Sequence, residues 1–98
     1  MYIATTPTFV FTVGIDTSNI SELLLTFQQN RKNILTLTED DVTMSGNRIE
    51  VTLTQAQTKL FAVGKAFAQI RVKLNDDTVE ASNPMQFAVD VTFNTEAM

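Results

Sequence analysis

Residues 45–74, SGNRIEVTLTQAQTKLFAVGKAFAQIRVKL, decide the fold class of this 98-residue chain. Ile49, Val51 and Leu53 alternate with Arg48, Glu50 and Thr52. Further on, Ala66, Ala68, Ile70, Val72 and Leu74 alternate with Phe67, Gln69, Arg71 and Lys73. A two-residue period puts every second side chain on the same side of a β-strand, so each run has one apolar and one wet face. Ser45-Gly46-Asn47 reads as a hairpin turn, because Gly and Asn tolerate positive φ. Between the runs, Thr54-Gln55-Ala56-Gln57 matches a capping box, with Thr at the N-cap and Gln three residues later. The expectation is one short helical turn near residues 55–61, closed by Gly64, with Leu60 and Phe61 tucked against the end of a β-sandwich.

The same period recurs on both sides of this block. Thr8 to Val13 is a strand with Phe9, Phe11 and Val13 on one face, preceded by an extended arm over residues 1–7 that ends in Thr6-Pro7. Ile20 to Gln29 is a second strand with Leu23, Leu25 and Phe27 inward, while Leu24 interrupts the alternation. Asn30-Arg31-Lys32-Asn33 is a turn by composition, and Ile34 to Thr38 resumes the pattern through Leu35 and Leu37. Glu39-Asp40-Asp41 breaks it; Val42 and Met44 restore it briefly. The strand from Arg48 can fold back on residues 42–44 or 34–38. After the turn Asn75–Thr78, Val79 to Ser82 is a short edge segment. The last strand follows Asn83-Pro84 with Met85, Phe87, Val89, Val91 and Phe93 inward, and residues 94–98 form a frayed tail. These elements predict a single all-β domain over 1–98: an antiparallel immunoglobulin-like β-sandwich of about seven strands. A small closed barrel is the structural alternative.

Composition bounds the chemistry. The chain has no Cys and no His, so thiol nucleophiles, disulfides, Ser-His-Asp triads and histidine-ligated metals cannot be built from it. Its formal charge is −4, against the basic stripe that nucleic acid binding asks for. No apolar run of about 20 residues is present to span a bilayer. The opening MYIATTPTFVFTVG lacks the basic segment of a secretory signal, so synthesis in the cytoplasm of the producing cell is expected.

Carboxylates remain as candidates. Glu39-Asp40-Asp41 and Asp76-Asp77 could offer oxygen ligands to calcium, but neither has EF-hand spacing, and such residues cap turns by bonding locally. Asp16, Glu22, Glu50, Glu80 and Asp90 could supply an acid–base pair only if burial raised one pKa. No cofactor, metal or catalytic residue is assigned. The candidate interaction surface is Phe67, Gln69, Arg71 and Lys73, the outward row of the long strand. Its plain reading is a solvated sheet face, with charge pairs to residues such as Glu50 or Asp90. Its functional reading is docking of a neighbouring subunit, with Phe67 as the apolar contact. A sugar platform normally uses Trp or Tyr; this chain has no Trp, and Tyr2 is its single tyrosine.

Thr6, Pro7, Thr8, Phe9 and Phe11, followed by Gly46, Asn47, Leu53, Thr54, Gln55, Thr58, Phe61 and Gly64, carry a resemblance that spans most of the chain. The pattern resembles the small immunoglobulin-like proteins encoded among tail and baseplate genes of phages and prophages of Gram-positive bacteria. Where such proteins often have a Gly-containing turn after the long strand, this chain has Asn75-Asp76-Asp77. The resemblance implies a non-catalytic, virion-associated structural or assembly protein whose partners are phage structural proteins or further copies of itself. The alternative is a binding module for a host cell-surface glycan or receptor.

Overall fold

The computed structural model describes residues 1–98 and contains eight strands in two antiparallel sheets. They are β1 (Thr8–Thr12), β2 (Ile20–Gln29), β3 (Lys32–Thr38), β4 (Thr43–Ser45), β5 (Arg48–Thr52), β6 (Gly64–Leu74), β7 (Val79–Ala81) and β8 (Met85–Val89). One sheet has the order β1-β5-β4. The other runs β3-β2-β6, and β7 and β8 both pair with the far edge of β6. Since β7 and β8 are two halves of one edge, the eight strands fill seven positions. That order is the immunoglobulin one, with β1, β5 and β4 in the places of strands B, E and D, and β3, β2, β6 and β7/β8 in those of C′, C, F and G.

The inner faces meet in an aromatic cluster. Phe27, fully buried on β2, has its ring 5.6 Å from Phe9, 5.8 Å from Phe61 and 6.1 Å from Phe87, in edge-on arrangements that suit the ring quadrupoles. Small residues make the room. Ala68 lies opposite Phe27 and Ala66 opposite Phe87, both alanines buried. Leu23, Leu25, Leu37, Ile49, Val51, Leu53, Ile70 and Val72 complete the packed interior.

Connections follow their residues. The hairpin β2–β3 turns on two residues, not four: Gln29 pairs with Lys32, and Asn30 and Arg31 both have positive φ, as a type I′ turn requires. Ile34 is then the extra residue of a bulge, because Phe27 faces Leu35 while Gln28 faces Asn33. The strand from Arg48 pairs with β4 through a tight turn at Gly46 (φ 59), and pairs with β1 on its other side. The capping box forms as the sequence predicts: the Gln57 N–H donates to Thr54 Oγ1 at 3.1 Å, and the Thr54 N–H to Gln57 Oε1 at 2.9 Å. It opens the single α-turn, α1 (Gln55–Thr58). Of the two residues expected to tuck inward after it, Phe61 is buried and Leu60 is exposed.

Two expectations about the chain ends are corrected. The last strand stops at Val89, which is paired with Gly64, the first residue of β6. Beyond it there is no β6 partner, so Val91 and Phe93 point into solvent despite their continued alternation. The arm is docked instead of simply extended. Tyr2 bridges Asp90 in parallel, the Ile3 N–H donates to the Asp90 carbonyl at 2.9 Å, and the Asp90 N–H donates to that of Met1 at 2.8 Å. Residues 94–98 form no strand, and the Gln55 side-chain amide bonds both backbone groups of Met98.

Candidate functional site

Phe67, Gln69, Arg71 and Lys73 occupy successive outward positions on β6, with β2 on one side and β7/β8 on the other. At about 3.4 Å per residue the row is about 20 Å long. Phe67 lies between Gln28 and Gln86, Gln69 beside Thr26, Arg71 between Leu24 and Ala81, and Lys73 between Glu22 and Val79. Phe67 is 38% exposed and Leu24 41%. These side chains lie on a broad polar face that carries separate apolar spots, as sheets with one solvated side commonly do.

The four residues are not equally available. Gln69 donates from Nε2 to the Ser82 carbonyl at 2.9 Å. Ser82 also takes the Ile70 N–H on its Oγ at 3.0 Å and donates its own N–H to Ile70 O, so it stitches the gap between β7 and β8 to β6. Gln69 is therefore part of that stitch. Lys73 makes the chain's one ion pair, 3.7 Å to Asp77 in the following turn. The expected pairs to Glu50 and Asp90 do not form: Glu50 lies on the other sheet, and the Asp90 carboxylate accepts the Val91 N–H at 3.1 Å. Arg71 has no ion pair and no side-chain hydrogen bond within the chain, which leaves its guanidinium uncommitted.

Two shallow depressions lie on this face. One, of about 310 Å³, is lined by Glu22, Leu24, Arg71, Lys73 and Val79; the other, of about 40 Å³, lies among Thr26, Gln28, Phe67, Gln69 and Pro84. A third, again about 310 Å³, opens beside the edge between the sheets and is lined by Val13, Ile15, Ile70 and Ala81 among others. None resembles the deep, enclosed clefts in which small molecules are usually held.

The acidic segments are used locally. Asp41 accepts from the Thr38 N–H at 2.9 Å, Asp76 from that of Thr78 at 3.0 Å, and Asp16 from that of Ser18 at 3.0 Å. Glu39 accepts from the Leu23 N–H at 3.1 Å. Leu24 pairs with Thr38, so the Glu39 carboxylate bonds β2 at the point where β3 has ended. These backbone N–H donors hold the Asp16, Glu39 and Asp76 carboxyls below their ordinary pKa. That shift is opposite to the one a general acid needs near neutral pH. No three acidic side chains converge into a metal-binding group.

Sequence reasoning missed three buried polar residues. Gln29 donates to the Ala62 carbonyl at 2.7 Å and accepts the Ala62 N–H at 2.7 Å, fixing the loop after α1. Thr58 Oγ1 accepts from the Ala4 N–H at 2.9 Å, which anchors the arm to α1. Thr17 donates from Oγ1 to the Gly46 carbonyl at 2.9 Å. Each is a structural clamp. A polar residue on a strand otherwise buried at alternate positions was the available signal for Gln29, at the end of the Leu23–Leu25–Phe27 row. No helix is long and apolar enough to cross a membrane. Comparison with family models, curated proteins and solved structures found no match to this chain.

Proposed function

We propose that this protein is a non-catalytic structural or assembly component of a phage or prophage tail or baseplate, acting through protein–protein contacts. The observation that carries the contact reading is the outer face of β6, where uncommitted Arg71 lies beside exposed Leu24 and shares its outward row with exposed Phe67. Arg and aromatic side chains are favoured at protein interfaces. The absence of His and Cys and the local use of the acidic turns support a role without catalysis. The phage assignment rests on the resemblance carried by the opening Thr-Pro-Thr-Phe motif and the capped turn.

The test is to purify particles released after prophage induction and to measure this chain in them by mass spectrometry. Wild-type protein is expected at a stoichiometry comparable to other tail proteins. The folded double variant Phe67→Glu/Arg71→Glu is expected to be depleted at least tenfold. Absence of the wild-type chain from particles and from tail assembly intermediates overturns the phage reading. Selective retention of the wild type on cell-wall glycans, lost in the double variant, overturns the protein-contact reading in favour of glycan recognition.

A further inference from the structure

The first sheet has an unusually open edge. Strand β1 is its end strand, and it bonds β5 through alternate residues: the Leu53 N–H donates to Pro7 O at 2.9 Å and the Val13 N–H to Asn47 O at 2.8 Å. In that antiparallel pattern the N–H and C=O groups of Thr8, Val10 and Thr12 point away from β5. An immunoglobulin domain places strand A along this edge. Here residues 1–3 are diverted to Asp90, just past the end of β8, so that place is left free.

The other edges carry the usual protections against pairing. Strand β3 contains a bulge and Lys32, β4 has three residues, and the β7/β8 edge is interrupted at Asn83-Pro84. Strand β1 has no bulge, and the first charged side chain of the sequence is Asp16. Moreover, its sequence Thr8-Phe9-Val10-Phe11-Thr12 is the same in both directions.

We propose that β1 pairs antiparallel with β1 of a second copy about a two-fold axis at Val10, joining the two three-stranded sheets into one of six. This rests on the contact-protein reading above and names the partner. In this register Val10 faces Val10 of the other copy, and Thr8 faces its Thr12. Every outward peptide group of the strand then has a partner, which suits isologous pairing. Phe9 and Phe11, only partly buried within one copy, come side by side across the axis on the inner face. Val10, 42% exposed, meets its equivalent on the outer face. The edge brings no like charges together, although each chain carries −4 overall, so added salt favours the dimer by screening that net repulsion. Five-residue strands bury less than a standard interface of about 800 Å² per partner, so the dimer dissociates on dilution through roughly the micromolar range.

Sedimentation of the full chain across that range, at low and high salt, gives the first test. Val10→Lys places two ammonium groups face to face across the axis and is expected to give a monomer with unchanged circular dichroism. The register is tested with single cysteines, since the chain has none of its own. Facing Cα atoms of a bonded pair lie about 5.5 Å apart, within disulfide reach, whereas the two copies of residue 8 lie about 13 Å apart along the strands. Under mild oxidation Val10→Cys is expected to cross-link at least tenfold faster than Thr8→Cys alone or Thr36→Cys on β3. A mixture of Thr8→Cys and Thr12→Cys is expected to cross-link heterotypically. Wild-type monomer at every concentration, or Val10→Cys no faster than Thr36→Cys, overturns the dimer. A monomer still recovered in tail particles overturns the dimer alone and leaves the proposed function standing.

Discussion

The two sheets solve the same problem to different degrees. The β3-β2-β6 sheet holds Phe27 at its centre, has β7 and β8 along one edge, and fixes its ends with side-chain clamps from Gln29 and Glu39. The β1-β5-β4 sheet has three strands, a core row of Ile49 and Val51 on its central strand continued by Leu53 just past its end, and an unprotected edge with two partly buried phenylalanines. The larger sheet is therefore expected to carry most of the stability, while the smaller one has unused bonding capacity. Side-chain truncation tests this difference most directly. Phe27→Ala is expected to cost about 3–5 kcal/mol, because it empties the centre of the aromatic cluster. Phe11→Ala is expected to cost less than half as much in the monomer, because its ring is already partly in water. Urea denaturation of both variants at a concentration too low for association makes the comparison. Equal losses would mean that the two sheets share the core evenly.

A smaller effect is expected at Gln29, the clamp that ties the larger sheet to the loop after α1. Gln29→Leu keeps the size roughly constant but leaves the part-buried Ala62 N–H without its acceptor and the Ala62 carbonyl without its donor. The expected cost is about 1–3 kcal/mol, with hydrogen exchange quickened at Ala62 while the central amides of β6 stay protected. Uniformly faster exchange through β6 would show that the clamp acts on the whole sheet and not on its margin.

This division also explains what could be read from the sequence. The strands of residues 45–74 and their wet and dry faces were legible because pleating is a local property, and so was the capping box, whose two bonds span four residues. The end of β8 was not. Val91 and Phe93 keep the strand period, but β6 begins at Gly64 and offers them no partner, a fact set by residues nearly 30 positions away. The β2–β3 turn looked twice its length because Asn30 to Asn33 is one polar run with Asn at both ends, yet Lys32 and Asn33 both pair with β2. The outward placement of Phe67, Gln69, Arg71 and Lys73 followed from periodicity. Their partners did not: Glu50 lies on the other sheet, Asp90 lies past the end of β8, the Ser82 bond to Gln69 depends on how β7 and β8 meet β6, and the Lys73–Asp77 pair depends on how the following turn folds back.

The smallest expected effect is on acid sensitivity, and it also separates the two sheets. Asp16, Glu39 and Asp76 cap the β1–β2 connection, the end of β3 and the β6–β7 turn, so each lies where a strand of the larger sheet begins or ends. Their folded pKa values are lowered by backbone N–H donors, which bond the ionised form. The unfolded chain then binds more protons than the folded one across the interval between the lowered and ordinary values. Their contribution is thus fully present above the ordinary values of 3.8 for Asp and 4.5 for Glu, and is lost as pH falls through the lowered folded ones. Glu39→Gln removes one such group while keeping an oxygen that can accept the Leu23 N–H. It is expected to lower the urea midpoint slightly at about pH 7 and to shallow its fall towards about pH 3. Val10→Lys, at the edge of the smaller sheet, is expected to leave the shape of that acid limb unchanged. Parallel acid limbs for wild type and Glu39→Gln would place the acid-sensitive bonds elsewhere and remove this distinction between the sheets.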